Sequence, residues 1–381
     1  MSRIGESATV GVARRADELK RAGRDIVDLS AGEPDFPSPP AAVRGAQAAL
    51  DAGFTKYTQS SGTPELRAHL AAMYNDLYGT LWSVGHGVVT VGAKTALYHL
   101  AVALFEPGTE VVLPSPCWVS FTAQVSLLGA EPVTVATSRE DGFRIHAAPL
   151  LDAVTDKTRA ILVNSPCNPT GGVLGAEDLR VLAEACAERG ILLISDETYE
   201  RFVYEGEHAS AAALAADYPE TVVVVSSFSK TWAMTGWRIG WVFGPAAVIK
   251  AVAALQSHST SNPTSFAMAG ALTALMDCED DVQRMLAEYR ARRELVIPRL
   301  CSIPGVSCSP PSGTFYAFPH VEACEAEGGS IRLAERLLEE AGVALVPGAA
   351  FGADEHLRLS FAASRETLER GLDRLAAALA V

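Results

Sequence analysis

Three absences narrow the field first. The seven cysteines (Cys117, Cys167, Cys186, Cys278, Cys301, Cys308, Cys324) contain no CxxC pair. That removes the usual zinc spacings, and the chain is too long and loop-poor for a disulfide scaffold, so no metal is expected and reduced cytoplasmic thiols are. No apolar run approaches the roughly 20 residues that span a bilayer. The N-terminal MSRIGESATVGVARRADELK has no long apolar core, so neither a secretory leader nor a membrane association is expected. Positive charge is also scarce: 31 basic against 45 acidic side chains leave a net charge of −14. Phosphate backbones reward clustered Lys and Arg, so nucleic acid is not an expected partner. Any anionic ligand must be held by local positive groups.

What is present is an alternation of strands and helices. GVVTVG (87–92) leads into AKTALYHLAVALF, TEVVLPSP (109–116) into a mixed helix, and AILVNSP (160–166) into AEDLRVLAEACAERG. ILLISDE (191–197), TVVVVSS (221–227) and WRIGWVFG (237–244) complete the series. Near-continuous Val, Ile and Leu argues for strands covered on both faces in a mainly parallel α/β sheet. From about residue 281 the pattern changes to VQRMLAEYRARRELVIPRL, a long amphipathic helix followed by shorter elements. The expected division is a large domain over 45–280 and a smaller one built from 1–44 with 281–381.

Ligands of open α/β sheets sit outside the carboxyl ends of the strands. There the sequence places Gly92-Ala93-Lys94, then Cys117-Trp118, Asn168 in NSPCNPTG, Asp196 and Tyr199 in SDETYE, and Ser227 and Lys230 ahead of Arg238. Each is weak alone: an Asp after a strand is commonly a helix cap, Trp118 and Tyr199 also suit a core, Ser229 suits a turn cap, and Lys94 suits a solvated helix start. Cys117 and Cys167 read as packing residues, with no histidine partner in view. Together the groups suit a phosphorylated aldehyde with a ring nitrogen. A lysine amine can bond the aldehyde, a carboxylate can keep the ring nitrogen protonated, and a helix start with an arginine can hold the phosphate.

Beyond those residues, LSAGEPDFPSP, KYTQSSGTPELR, VTVGAKTAL, PSPCWVSF, NSPCNPTG, SDETYE, SFSKTWAMTGWRIGW, SNPTS, SGTFYAF, VPGAAFG and HLRLSF follow one another in family order. The chain resembles a class I aminotransferase of the pyridoxal-phosphate fold-type I superfamily, most closely its bacterial aspartate/prephenate branch. The resemblance implies a seven-stranded, mainly parallel sheet flanked by helices, plus a smaller α+β domain. It implies Lys230 as the Schiff-base lysine and proton shuttle, Asp196 on the pyridine nitrogen, and Asn168 and Tyr199 on the phenolic oxygen. Trp118 would stack on the ring. Arg238, Ser227, Ala93 and Lys94 would hold the phosphate of pyridoxal 5'-phosphate, with Tyr57 reaching over from a second subunit of a homodimer and Asn262 near that shared site. Arg358 would grip the substrate carboxylate with Gly32 leaving room for it.

For the substrate side chain, the segment before Asn262 lacks the arginine that one aspartate branch carries. The other branch implies Ser7, Thr9 and Lys94 around a distal carboxylate, which makes aspartate and 2-oxoglutarate the expected pair. Prephenate, an aromatic or neutral donor, and a lyase on the same scaffold are the alternatives. A DNA-binding regulator with this fold needs a winged-helix segment ahead of it, and a nicotinamide dehydrogenase needs GxGxxG after a strand; neither pattern is present.

Overall fold

The computed structural model describes residues 8–379. Seven strands form the central sheet: β1 (Gly87–Thr90), β2 (Glu110–Ser115), β3 (Glu131–Ala136), β4 (Thr158–Asn164), β5 (Leu192–Asp196), β6 (Val222–Ser227) and β7 (Gly240–Phe243). Their order is β1-β7-β6-β5-β4-β2-β3. All neighbours are parallel except β7, which runs antiparallel to both β1 and β6. The fold is therefore the expected mainly parallel α/β sheet.

Successive side chains of a strand point to opposite faces, and both faces here are apolar. Val223 and Val225 pack with Leu97, Leu100 and Ile249 on one side. Val222 and Val224 pack with Leu179, Leu182 and Met268 on the other. Every residue of β6 is buried, which explains why its sequence reads as an unbroken apolar run. The edge strand β3 was not singled out by pattern. Its residues are half-exposed or exposed and include Pro132, so it lacks the run that marks the inner strands.

The helix Glu279–Cys301 leaves the sheet and begins a second set of elements. The strand Leu357–Ser360 lies between Tyr316–Ala317 and Val346–Pro347, antiparallel to both. Val27 and Asp28 pair in parallel with Val343 and Ala344, which ties the N-terminal region to the C-terminal one. Val27 and Leu29 share a core with Val296, Leu359 and Leu372, and Tyr199 and Phe202 join that core from beyond β5. Among the described residues no helix is long and apolar enough to cross a membrane.

Candidate active site

The strand ends converge on one cavity of about 580 Å³. Its wall includes Lys94, Trp118, Asn168, Asp196, Tyr199, Ser227, Lys230, Arg238 and Arg358, contributed by the carboxyl ends of five strands, the start of β7 and the more C-terminal sheet. The reversed direction of β7 is what adds Arg238. Gly240 opens β7 opposite Thr90 of β1 and Ser227 of β6, so the residues just before it stand at the edge where the parallel strands finish.

At the β1 end, Gly92 precedes the helix Ala93–Leu104, which has no side-chain cap on its first N–H groups. Uncapped helix starts attract anions. Arg238 stands over that start, with Nη1 donating to the Thr235 carbonyl at 2.7 Å. A Cβ on Gly92 would lie 2.3 Å from Arg238 Nη2, and one on Gly240 would lie 2.4 Å from the Ala93 nitrogen. Both glycines are needed so that arginine, helix start and strand can share this space. Ser227 Oγ accepts from the Ser229 N–H at 3.3 Å, and Ser229, read as a turn cap from sequence, also lines the cavity.

At the β4 end, the Asn164 side chain accepts from the Asn168 N–H at 2.8 Å and donates to the Asp196 carbonyl at 3.0 Å. This side chain ties two neighbouring strand ends together and sets the position of Asn168. Asp196 itself is buried, with Oδ1 accepting from the Thr198 N–H at 3.0 Å. No cation lies within ion-pair distance of it among the described residues. Burial pushes its carboxyl up to about 6 against the lowering effect of the Thr198 bonds.

Lys230 follows β6 and donates through Nζ to the Gly32 carbonyl. Burial depresses its ammonium to about 8; Glu33 opposes the shift, and the charges of Arg358, Arg238 and Lys94 add to it. A lysine so placed carries about a tenth of its population as the neutral, nucleophilic and basic amine at pH 7, far more than an ordinary lysine. Its Nζ lies 6.0 Å from the Tyr199 ring centroid.

Arg358 is 2 % exposed and has no carboxylate partner among the described residues. Its Nη1 donates to Asn168 Oδ1 and its Nη2 to the Ser30 carbonyl, each at 2.9 Å. Nε has no hydrogen-bond partner. A buried guanidinium held only by neutral groups, with its Nε unpartnered, is costly unless an anion completes it. Lys94 extends Nζ to 4.8 Å from the Trp118 ring centroid, and burial lowers its ammonium, with Arg238 adding to the effect. A Cβ on Gly32 would stand 3.3 Å from the Tyr316 hydroxyl and 3.8 Å from Arg358 Nη2, so the absent side chain does leave space there.

Tyr57 is 88 % exposed and does not line this chain's own cavity. Ser7 lies outside the described residues, as does the side chain of Thr9; the same helix brings Val10, Ala13 and Asp17 to the cavity. Sequence reading also passed over Asn164, Ser30, Glu33 and Tyr316, all on the wall. For Tyr316 the signal was the SGTFYAF motif, in which nothing separates a core aromatic from a site aromatic.

Comparison with known proteins identifies the family. Residues 24–375 match the family model described as aminotransferase class I and II. The chain is 42 % identical to an aspartate aminotransferase of Geobacillus stearothermophilus, covering 97 % of this chain and 95 % of that protein. It is 43 % identical to an aspartate/prephenate aminotransferase of Thermus thermophilus, covering 98 % and 96 %. The solved structure of Thermus thermophilus aspartate aminotransferase with maleate superposes with a TM-score of 0.94, at 42 % identity over 99 % of this chain and 97 % of that one. An amine of depressed basicity, a buried unpaired carboxylate and a buried arginine open to an anion thus lie in a chain that belongs to the class I and II aminotransferases.

Proposed function

We propose that this aminotransferase moves the amino group of aspartate to 2-oxoglutarate, using pyridoxal 5'-phosphate. The observation that carries the reading is Arg358, which is buried, lines the cavity with Lys230 and has no carboxylate partner among the described residues. The cavity suits the cofactor on its own chemistry. The uncapped start at Ala93 and Lys94, with Arg238 and Ser227, would hold the phosphate. Asp196 would face the ring nitrogen, whose positive charge relieves the burial cost of the carboxylate. Asn168 and Tyr199 would face the ring oxygen, and Trp118 would cover the ring. When bound, the cofactor supplies an electron-withdrawing ring that stabilises the charge left on the substrate Cα.

The chain's own residues do the rest. Arg358 binds the α-carboxylate through two parallel donors, and Asn168 keeps its plane oriented. Lys230 Nζ, neutral above about pH 8, would take the proton from Cα and deliver it two bonds along, to the cofactor's aldehyde-derived carbon. Lys94, with Ser7 and Thr9, would receive a distal carboxylate. The relatives named above support aspartate, and one carries prephenate in its name; prephenate also presents two carboxylates to Arg358 and Lys94.

A homodimer belongs to the same proposal. Tyr57, Phe54, Leu77 and Leu81 are all exposed, and Tyr57 would complete the phosphate site of a partner, with Asn262 nearby. Residues 45–280 would form the large domain, and 1–44 with 281–381 the small one, as the Val27–Val343 pairing supports. A cytoplasmic location is proposed on the seven free thiols.

The test is a single-turnover titration of the cofactor-loaded protein with aspartate, glutamate, alanine and tyrosine, each without acceptor. Rapid loss of the visible cofactor band with aspartate and glutamate supports the reading. Loss with tyrosine or alanine alone removes the aspartate assignment. No loss with any donor favours a lyase.

A further inference from the structure

Tyr316 is wholly buried, yet it reaches the cavity. It pairs across the sheet with Ser360, and Arg358 lies two residues along that partner strand. Positions two apart share a face, so the ring lies under the guanidinium, with Arg358 Cζ 4.3 Å from the ring centroid. The Tyr316 hydroxyl is 2.9 Å from the Tyr199 hydroxyl. The segment leading to it is held in a rarely adopted conformation: Thr314 has φ of +64°. The Thr314 carbonyl accepts from the Tyr204 hydroxyl at 2.5 Å, and its Oγ1 accepts from the Tyr316 N–H at 3.3 Å. A β-branched residue keeps positive φ only where its surroundings over-determine it.

A phenol has one proton to give. If Tyr199 spends its proton on the cofactor oxygen, the short contact between the two hydroxyls leaves Tyr316 as the donor to Tyr199. We propose that Tyr316 is a positioning residue for two partners at once: its hydroxyl directs the Tyr199 proton to the cofactor's ring oxygen, and its ring face shelves Arg358 for the substrate carboxylate. The inference rests on the reading above that Tyr199 faces that oxygen. Donation along the chain strengthens each successive bond. The charged and titratable groups facing Tyr199 are Tyr316, Arg358, Asp196 and Lys230. Those facing Tyr316 are Arg358, Tyr199 and Glu33.

The experiment compares the cofactor-loaded parent with Tyr316→Phe, Tyr316→Leu and Tyr199→Phe. It reads the pH midpoint of the visible cofactor band and the KM of the fastest amino donor. A hydrogen bond to the deprotonated oxygen favours that form, so its loss raises the midpoint. Tyr199→Phe is expected to raise it most, and Tyr316→Phe by roughly 0.3 to 1 on the pH scale. Because phenylalanine keeps the ring face, KM in Tyr316→Phe stays within about twofold, while Tyr316→Leu raises it roughly tenfold. A midpoint that moves in Tyr199→Phe but not in Tyr316→Phe overturns the relay and leaves the proposed function standing. An unchanged KM in Tyr316→Leu overturns the shelf. A midpoint unmoved in both phenylalanine variants overturns this inference together with the placement of Tyr199.

Discussion

Arg358 and Asn168 are separated by 190 residues of chain, and Nη1 of the first donates to Oδ1 of the second at 2.9 Å. Asn168 has no charge to offer, so the bond orients the guanidinium without neutralising it. The strand that carries Arg358 and the loop after β4 are thereby joined at the point where a substrate carboxylate would arrive.

Replacing that arginine tests the point. Arg358→Lys keeps the charge but loses the planar fork. We expect kcat/KM for aspartate to fall roughly 100-fold or more, with the visible cofactor spectrum preserved. Steady-state rates with parent-like efficiency would remove Arg358 from carboxylate binding.

Lys230→Ala leaves the phosphate-side and ring-side groups in place. The variant should fold and still take up cofactor, now without a covalent link and so lost on prolonged dialysis. Turnover should drop roughly 10⁴-fold or more. Dialysis of the parent and the variant, read by absorbance, separates the two effects.

The depressed basicity of Lys230 sets a pH profile for reloading the cofactor-free protein. Its value of about 8 lies below the ordinary 10.5, so the neutral amine dominates above pH 8. Below that, each pH unit removes about nine-tenths of the reactive form. The rate of covalent uptake should climb through pH 7 and level off above about 8.5. A climb that continues to pH 10 would contradict the burial argument.

Gly92→Ala addresses the phosphate end. Its Cβ would fall 2.3 Å from Arg238 Nη2, and the position has φ of +79°. The arginine must move off the helix start. A 10- to 100-fold rise in cofactor Kd is expected, about the cost of one charge-assisted contact, measured by equilibrium dialysis.

Beyond the cavity, Glu200 is buried beside Glu197 and His208. Glu197 is already satisfied by the Ser210 hydroxyl, the Ala211 N–H and His208. Burial, with Glu197 adding and His208 opposing, pushes the Glu200 carboxyl up to about 7 from 4.5. A folded value above the unfolded one means that the native state holds the extra proton, so stability is lost as pH rises from about 4.5 to 7. Glu200→Gln should therefore raise the melting temperature at pH 8 and leave it nearly unchanged at pH 4.5. The gain is about 1–3 kcal/mol.

How much of this was legible depends on the range of the physics involved. The inner strands were readable because burial on both faces imposes an apolar run on the local sequence, as in Val222–Val225. The edge strand Glu131–Ala136 carries no such imprint, since every one of its residues is at least partly exposed to water. The chemistry of Asp196 and Lys230 was legible because one ends and the other follows a recognisable strand, whereas Arg238 precedes its strand and its role came from the family resemblance.

Residue types, their order and the strand that each one flanks are properties of local pattern, and the sequence alone determined them. Which groups touch was decided only by the tertiary structure. The direction of β7 brings Arg238 to the helix start, yet an antiparallel strand reads no differently from a parallel one. The register of Tyr316 against Ser360 sets its ring beneath Arg358, and a shift of one residue would turn it to the other face. Such contacts depend on pairings between distant segments, and no periodicity within either segment encodes them.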